Sequence, residues 1–284
     1  MTQILHKIKA YSASIKGDKM NLILTSTLDL YLKNEADERI PHNFGNKNGI
    51  LDLIKQLTPK QDNFVYVASV ADDYDITDYY ANLTFDSFKS TFPFKSYIIL
   101  DGRTKGRAKE IIENADLIFL CGGHVPTQNN FYTDINLREI IKNTDALIIG
   151  QSAGSMDSAE IVYAQPELEG ESIDPNYKKY IKGLGLTNIS ILPHFEERFD
   201  WILDGKNIFK EITLPDSEIR PFLAYSDGTF IYDNGVKQLV YGKSYLFDNG
   251  SFQQISEDDS ITDITELIEN KFGNYAYETF MSKF

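Results

Sequence analysis

Cysteine is almost absent from this chain. Cys121 is the only one in 284 residues, so no internal disulfide can form. Nor is there any apolar run near the roughly 20 residues that a membrane-crossing helix needs. The opening MTQILHKIKAYSASIKGDKM lacks an apolar core of signal-peptide length, and a cytoplasmic location is expected. Basic residues are also scarce: 28 Lys and Arg stand against 42 Asp and Glu, for a net charge of −14. That balance opposes binding to nucleic-acid phosphates or to an anionic membrane surface. There is no H-E-x-x-H, no cysteine pair and only four histidines, so neither a metal nor a cofactor is expected. Internal repeats, low-complexity tracts and Pro-rich linkers are missing too. With 42% hydrophobic and 25% charged residues the chain reads as a soluble globular protein with one sizeable core. One domain over 20–284 is expected, preceded by an N-terminal extension, 1–19.

The remaining pattern is alternation. Short apolar runs, NLILTST (21–27), NFVYVASV (63–70), SYIILDG (96–102), DLIFLCGG (116–123) and DALIIG (145–150), each end in a loop signal and read as strands. KNGILDLIKQL, TDYYANLTFDSFKSTF, GRAKEIIENA and TDINLREIIKNT space their apolar residues three and four apart, as amphipathic helices do. Strand and helix in alternation predict an α/β fold with a mainly parallel central sheet covered on both faces, and ligands at the carboxyl ends of its strands. After Pro221, PFLAYSDGTFIYDNG and KQLVYGKSYLFDNG alternate with Asp-Asn-Gly turns, which predicts an antiparallel extension of that sheet. A helix over about 261–272 closes the chain.

At Gly150-Gln151-Ser152-Ala153-Gly154 the last apolar strand turns sharply into a helix. The spacing fits G-x-S-x-G, in which small neighbours let a strained backbone present the serine hydroxyl. A plain Ser N-cap fits the same residues. A nucleophilic serine needs a base, and the choice is among His6, His42, His124 and His194. His6 lies in the extension and His42 in a polar loop. His124 follows Gly122-Gly123. His194 follows the apolar run Ile189 to Leu192, so it leaves a strand end as Ser152 does, and is the best base; a structural histidine is the alternative. An oxyanion needs donors, and Gly122 and Gly123 offer backbone N–H groups without side chains in the way, as does the N–H of Ala153.

Taken in order, Gly122-Gly123, GQSAGS, Pro193-His194-Phe195 and Asp227-Gly228 resemble the dipeptidase E and cyanophycinase family of serine peptidases, over about residues 20–250. The resemblance implies a fold like that of the class I glutamine amidotransferases: a three-layer α/β sandwich. It also implies cleavage of peptide or amide bonds in small peptides, aspartyl dipeptides among them. It makes Ser152 the nucleophile, His194 the base and Asp227 the acid, with Gly123 and Ala153 as oxyanion donors. A small peptide is the expected partner, and a homodimer is one option for assembly.

The chain departs from the family at two places. His124 stands where a third glycine is usual, and the family's substrate-binding arginine, about fourteen residues past the histidine, falls at Ile208. Arg198, Gly122 and His124 are then the candidates for substrate contact, although Arg198 beside Glu196 and Glu197 also reads as a surface ion-pair residue. For the acid, Glu196 and Glu167 compete with Asp227. Asp227 ends the apolar run FLAYS and so emerges from a strand, whereas HFEERFD turns acidic and reads as a solvated loop or helix start; an ordinary Asp-Gly turn is the alternative at Asp227. Three other readings remain. Cys121 could be the nucleophile, as in the amidotransferases. The fold could serve binding without chemistry. An esterase of the α/β-hydrolase type would draw its acid from Glu160, Glu167, Glu169, Glu171 or Asp174, ahead of the histidine.

Overall fold

The computed structural model describes residues 20–42, 45–273 and 276–283, so the proposed extension 1–19, with His6, lies outside the described residues. Five strands, Asn21–Thr25, Asn63–Val67, Ser96–Leu100, Leu117–Leu120 and Leu147–Gln151, pair in parallel within an eight-stranded sheet. Phe230–Asp233 adds antiparallel to Asn21–Thr25, and Gln238–Tyr241 and Ile261–Asp263 continue outward.

The central parallel strands are apolar through their middles because both faces are covered, while the edge strand Ser96–Leu100 is only partly buried. Side chains alternate, so Leu22, Leu24, Val65, Val67, Ile118, Leu120 and Ile148 enter one core with the helices Ala108–Glu113, Leu137–Ile141 and Thr265–Lys271. Ile23, Phe64, Tyr66, Leu117, Phe119, Leu147 and Ile149 enter the other with Ile50–Leu57 and Tyr74–Lys89. The result is the three-layer α/β architecture expected from the sequence.

The antiparallel extension expected after Pro221 is present in Phe230–Asp233, Gln238–Tyr241 and Ile261–Asp263, and three details differ from expectation. Not every strand of that segment belongs to the extension. Phe222–Tyr225 and Ser244–Asp248 instead join Ile191–Leu192 and Ser251–Ser256 in a separate four-stranded sheet, and only the strands between and after them reach the large sheet. The closing helix begins at Thr265, because residues 261–263 pair as an edge strand with Gln238–Tyr241. The helix expected over TDINLREIIKNT is broken. Val125–Asp134 ends and Leu137–Ile141 begins around Asn136, whose φ of 52° is left-handed and cannot continue a right-handed helix.

The small second sheet positions chemistry. Ile191–Leu192 runs parallel to Phe222–Tyr225, with Leu192 opposite Ala224. Adjacent parallel strands end on the same side, so His194, two residues past one, and Asp227, two residues past the other, leave together. Both emerge beside the carboxyl end of Leu147–Gln151.

Candidate active site

Ser152 occupies the N-cap position of the helix Ala153–Asp157, but its hydroxyl caps nothing. Its backbone has φ 52° and ψ −116°, a conformation that costs a non-glycine residue about 1–3 kcal/mol and persists only where the surroundings impose it. They do so here. The Ser152 N–H donates to the Thr25 carbonyl at 2.9 Å, Gly154 N–H to Cys121 O at 3.1 Å, and the Ser155 hydroxyl lies 2.8 Å from Thr25 O and 2.7 Å from Gly150 O.

The flanking glycines are required by contact. A Cβ at Gly150 would sit 2.8 Å from Gly154 O, and one at Gly154 would sit 2.1 Å from the backbone oxygen of Leu120. Gly154→Ala therefore forces backbone to move. Its expected cost is about 1–3 kcal/mol or more of stability, read as a lowered denaturant midpoint.

The hydroxyl instead faces His194, whose Nε2 lies 3.1 Å from Ser152 Oγ while its Nδ1 lies 2.8 Å from Asp227 Oδ1. A carboxylate only accepts, so Nδ1 carries the proton and Nε2 of the neutral ring is left to accept from the serine. His194 also has a left-handed φ, 57°. Asp227 sits in the four-residue turn 226–229, closed by Thr229 N–H to Ser226 O at 3.1 Å, with Gly228 at φ 83°. The turn reading and the acid reading of Asp227 are therefore both met.

Lys47 Nζ donates to Asp227 O at 2.9 Å and Asn48 Nδ2 to Gly228 O at 2.9 Å, which anchors the turn from the far side. Burial alone pushes the Asp227 carboxyl upward. The hydrogen bond and charge of His194, with Ser26 and Lys47, outweigh it and hold the group below the usual carboxylate range. Asp227 is ionised at neutral pH.

Gly122 and Gly123 border the serine. A Cβ at Gly122 would lie 3.2 Å from Ser152 Cβ, and one at Gly123 would strike Ser69. The N–H groups of Gly123 and Ala153 have no hydrogen-bond partner among the described residues. Gly122, Gly123, Ser152 and His194 share a cavity of about 370 Å³ with Ser69, Tyr31, Tyr66 and Tyr80. The last four were not anticipated. Ser69 follows the strand Asn63–Val67 on the same edge as Ser152, so the strand-end rule could have found it; the tyrosines carry no such signal.

Other sequence candidates are engaged elsewhere. His124 pairs through Nδ1 with the Thr127 hydroxyl and through Nε2 with Glu171, both at 2.8 Å, and does not line the cavity. Arg198 is not there either; it forms an ion pair with Glu167 at 2.7 Å, donates to Gln165 Oε1 and lies over the Trp201 ring. Ile208, at the family's arginine position, is fully buried. Glu196 holds Lys243 at 2.8 Å, which keeps its carboxyl below the ordinary range. Of the esterase-type acids, Glu160 pairs with Arg138, Glu167 with Arg198 and Glu171 with His124, and none has a contact with His194. His42 Nε2 is 3.6 Å from Asp29. Cys121 belongs to the lining of the Ser152 cavity but is itself buried, and burial pushes its thiol up, away from the reactive thiolate. No group of three or more potential metal-ligating side chains, and no helix long and apolar enough to cross a membrane, occurs among the described residues.

An α/β protein that strains a serine at a strand-to-helix turn, with a histidine against its hydroxyl, falls in the class of serine hydrolases. The comparisons narrow that class. The chain belongs to peptidase family S51, whose family model matches residues 40–237, and it is a serine peptidase. Among solved structures it is similar to a Listeria monocytogenes EGD-e protein described as a candidate peptidase E. The TM-score is 0.52 at 16% identity, over 84% of this chain and 100% of that one, and the likeness is one of fold. No curated protein matches at a significant level.

Proposed function

We propose that this serine peptidase cleaves small peptides in the cytoplasm through a Ser152-His194-Asp227 triad. The observation that carries the reading is the unbroken hydrogen-bonded chain from Ser152 Oγ through both nitrogens of His194 to Asp227. Ser152 attacks the scissile carbonyl as His194 Nε2 takes its proton. The developing oxyanion turns to the free N–H groups of Gly123 and Ala153, where each preorganised donor is worth about 3–4 kcal/mol. His194 then protonates the leaving amine, and a water activated by the same nitrogen releases the acyl group from Ser152. Asp227 holds the imidazole tautomer and stabilises the imidazolium. A cavity of about 370 Å³ favours a substrate of a few residues, and the lone free thiol suits a reducing compartment.

The direct test is fluorophosphonate labelling with mass mapping, beside hydrolysis of a panel of di- and tripeptides. Modification of Ser152 together with turnover is expected; no labelling and no turnover across the panel would sink the reading. Cys121→Ala is expected to keep turnover within about fivefold of the parent, a loss of no more than about 1 kcal/mol in barrier. A loss near that of a serine replacement would point to the thiol instead.

A further inference from the structure

The cavity that holds Ser152 and His194 is walled by uncharged side chains. Although 25% of the chain is charged, no Lys, Arg, Asp or Glu occurs among the described residues that line it, and His194 is already engaged by Ser152 and Asp227. The cations that stand nearby are turned elsewhere. Arg39 packs against the rings of Tyr31 and Tyr80 with its guanidinium on the Tyr31 and Tyr79 hydroxyls, and Lys47 donates to the Asp227 carbonyl; neither lines the cavity.

The elements explain this wall. Tyr66 and Phe119 are register partners on adjacent parallel strands, so their side chains share a face, and their rings stack with centroids 5.9 Å apart. Together with Leu30 and Leu83 they are buried and form the floor. The helix Tyr74–Lys89 contributes Ile76, Tyr80, Leu83 and Thr84, which its three- and four-residue steps bring to one face. Ile76 and Tyr80 are exposed, and large apolar side chains open to water at a cavity mark a surface that a ligand covers. Several polar groups of the lining are bonded within the protein. The Thr84 hydroxyl donates to Tyr80 O at 2.8 Å and the Ser26 hydroxyl to Ser226 O at 3.3 Å, while Gln151 Oε1 takes the Leu28 N–H at 3.4 Å. A carboxylate or ammonium entering here would lose hydration and meet no opposite charge, whereas an apolar side chain gains in proportion to the area it buries.

We propose that this cavity takes a large apolar side chain, such as that of Phe or Leu, from a residue flanking the scissile bond and excludes aspartyl and other charged side chains, with Ile76 and Tyr80 as specificity-determining residues. The inference rests on the reading of the cavity as a peptide site.

Binding to the non-hydrolysing Ser152→Ala protein tests it, by calorimetry at about 0.15 M salt, where distant surface charges are largely screened. Two sets of dipeptides are compared, Xaa-Ala and Ala-Xaa, with Phe, Asp or Lys as Xaa. In at least one set the Phe form is expected to bind tighter than both charged forms, on the order of ten- to a hundredfold, and that set tells which side of the scissile bond the cavity serves. Ile76→Arg places a cation at the cavity and should lower the Phe-to-Asp ratio about tenfold or more.

The proposal is overturned if Asp or Lys binds as tightly as Phe in both sets, or if none of the dipeptides binds. A Phe-to-Asp ratio unchanged in Ile76→Arg at unchanged melting temperature overturns it too. If Ile76→Arg does not fold, Ile76→Gln takes its place, and an unchanged ratio there has the same force. A Phe preference in a protein whose parent hydrolyses none of these dipeptides would count against the peptidase reading alone, and hydrolysis without the preference would count against the apolar cavity alone.

Discussion

Ser152→Ala is expected to lower kcat by about 10⁵- to 10⁶-fold, to a residue of activity that the free N–H groups and substrate binding sustain without a nucleophile. His194→Ala should fall almost as far. Its Nε2 is the only acceptor within 3.5 Å of the Ser152 hydroxyl among the described side chains, and neither of the other described histidines contacts the serine: His124 is held by Thr127 and Glu171, and His42 lies against Asp29. The double mutant should then be little worse than either single one, because members of one proton-transfer chain do not contribute additively. Burst-phase kinetics and steady-state turnover on one peptide, with matched melting temperatures, make the measurement. Activity retained in Ser152→Ala would move the nucleophile elsewhere. Additive losses would mean that serine and histidine act apart.

The serine was legible in the sequence because its constraint is local. Gly150 and Gly154 are glycines for reasons that lie within a few residues of the turn or on the adjacent strand end at Leu120, and such a requirement leaves a fixed spacing. The parallel strands were legible for a related reason: burial on both faces makes each central one a continuous apolar run. His194 could be placed because an apolar run ended just before it.

Sheet membership could not be read in that way. Phe222–Tyr225 and Phe230–Asp233 are both four-residue buried strands, apolar but for Asp233, and separated by one tight turn, yet one belongs to the small sheet and the other to the large. What separates them is the distant strand each meets, Ile191–Leu192 in one case and Asn21–Thr25 in the other. Periodicity holds no record of that choice. The hairpin that carries Tyr31 and Arg39 has strands of three residues, too short for alternation to rise above chance, so the cavity's aromatic wall was missed. Arg198 was proposed for its nearness to His194 in the chain, but a residue's free charge depends on what lies opposite it. Glu167, thirty-one positions earlier, takes it.

The acid that orients His194 yields the second large effect. Asp227→Asn is expected to keep the fold and lower kcat by about 10³- to 10⁴-fold. The amide that replaces the carboxylate can present its NH₂ to Nδ1, which favours the tautomer with the proton on Nε2, where it cannot accept from Ser152. It also removes the negative charge that stabilises the imidazolium during attack. The turn itself should survive, because Lys47 and Asn48 grip the backbone carbonyls of Asp227 and Gly228 and not the carboxylate. Glu196 is the rival by sequence, two residues from the histidine, but it lies in a 3₁₀ turn with its carboxylate held by Lys243, and His194 Nδ1 bonds to Asp227 instead. Glu196→Gln should therefore cost less than about tenfold. Acid should weaken the same contact in a defined window. Asp227 has its folded pKa depressed below the unfolded carboxylate value, so what it contributes to folding is complete above that unfolded value and fades as pH falls through the lower folded one. Asp227→Asn should correspondingly lessen the acid sensitivity of the melting temperature; Glu196→Gln, which removes a carboxylate also held below its ordinary range by Lys243, should do so through the loss of that separate pair. A thousandfold loss in Glu196→Gln with only a small one in Asp227→Asn, at equal thermal stability, would transfer the orienting role to Glu196 and show that the 2.8 Å contact at Asp227 has no part in turnover.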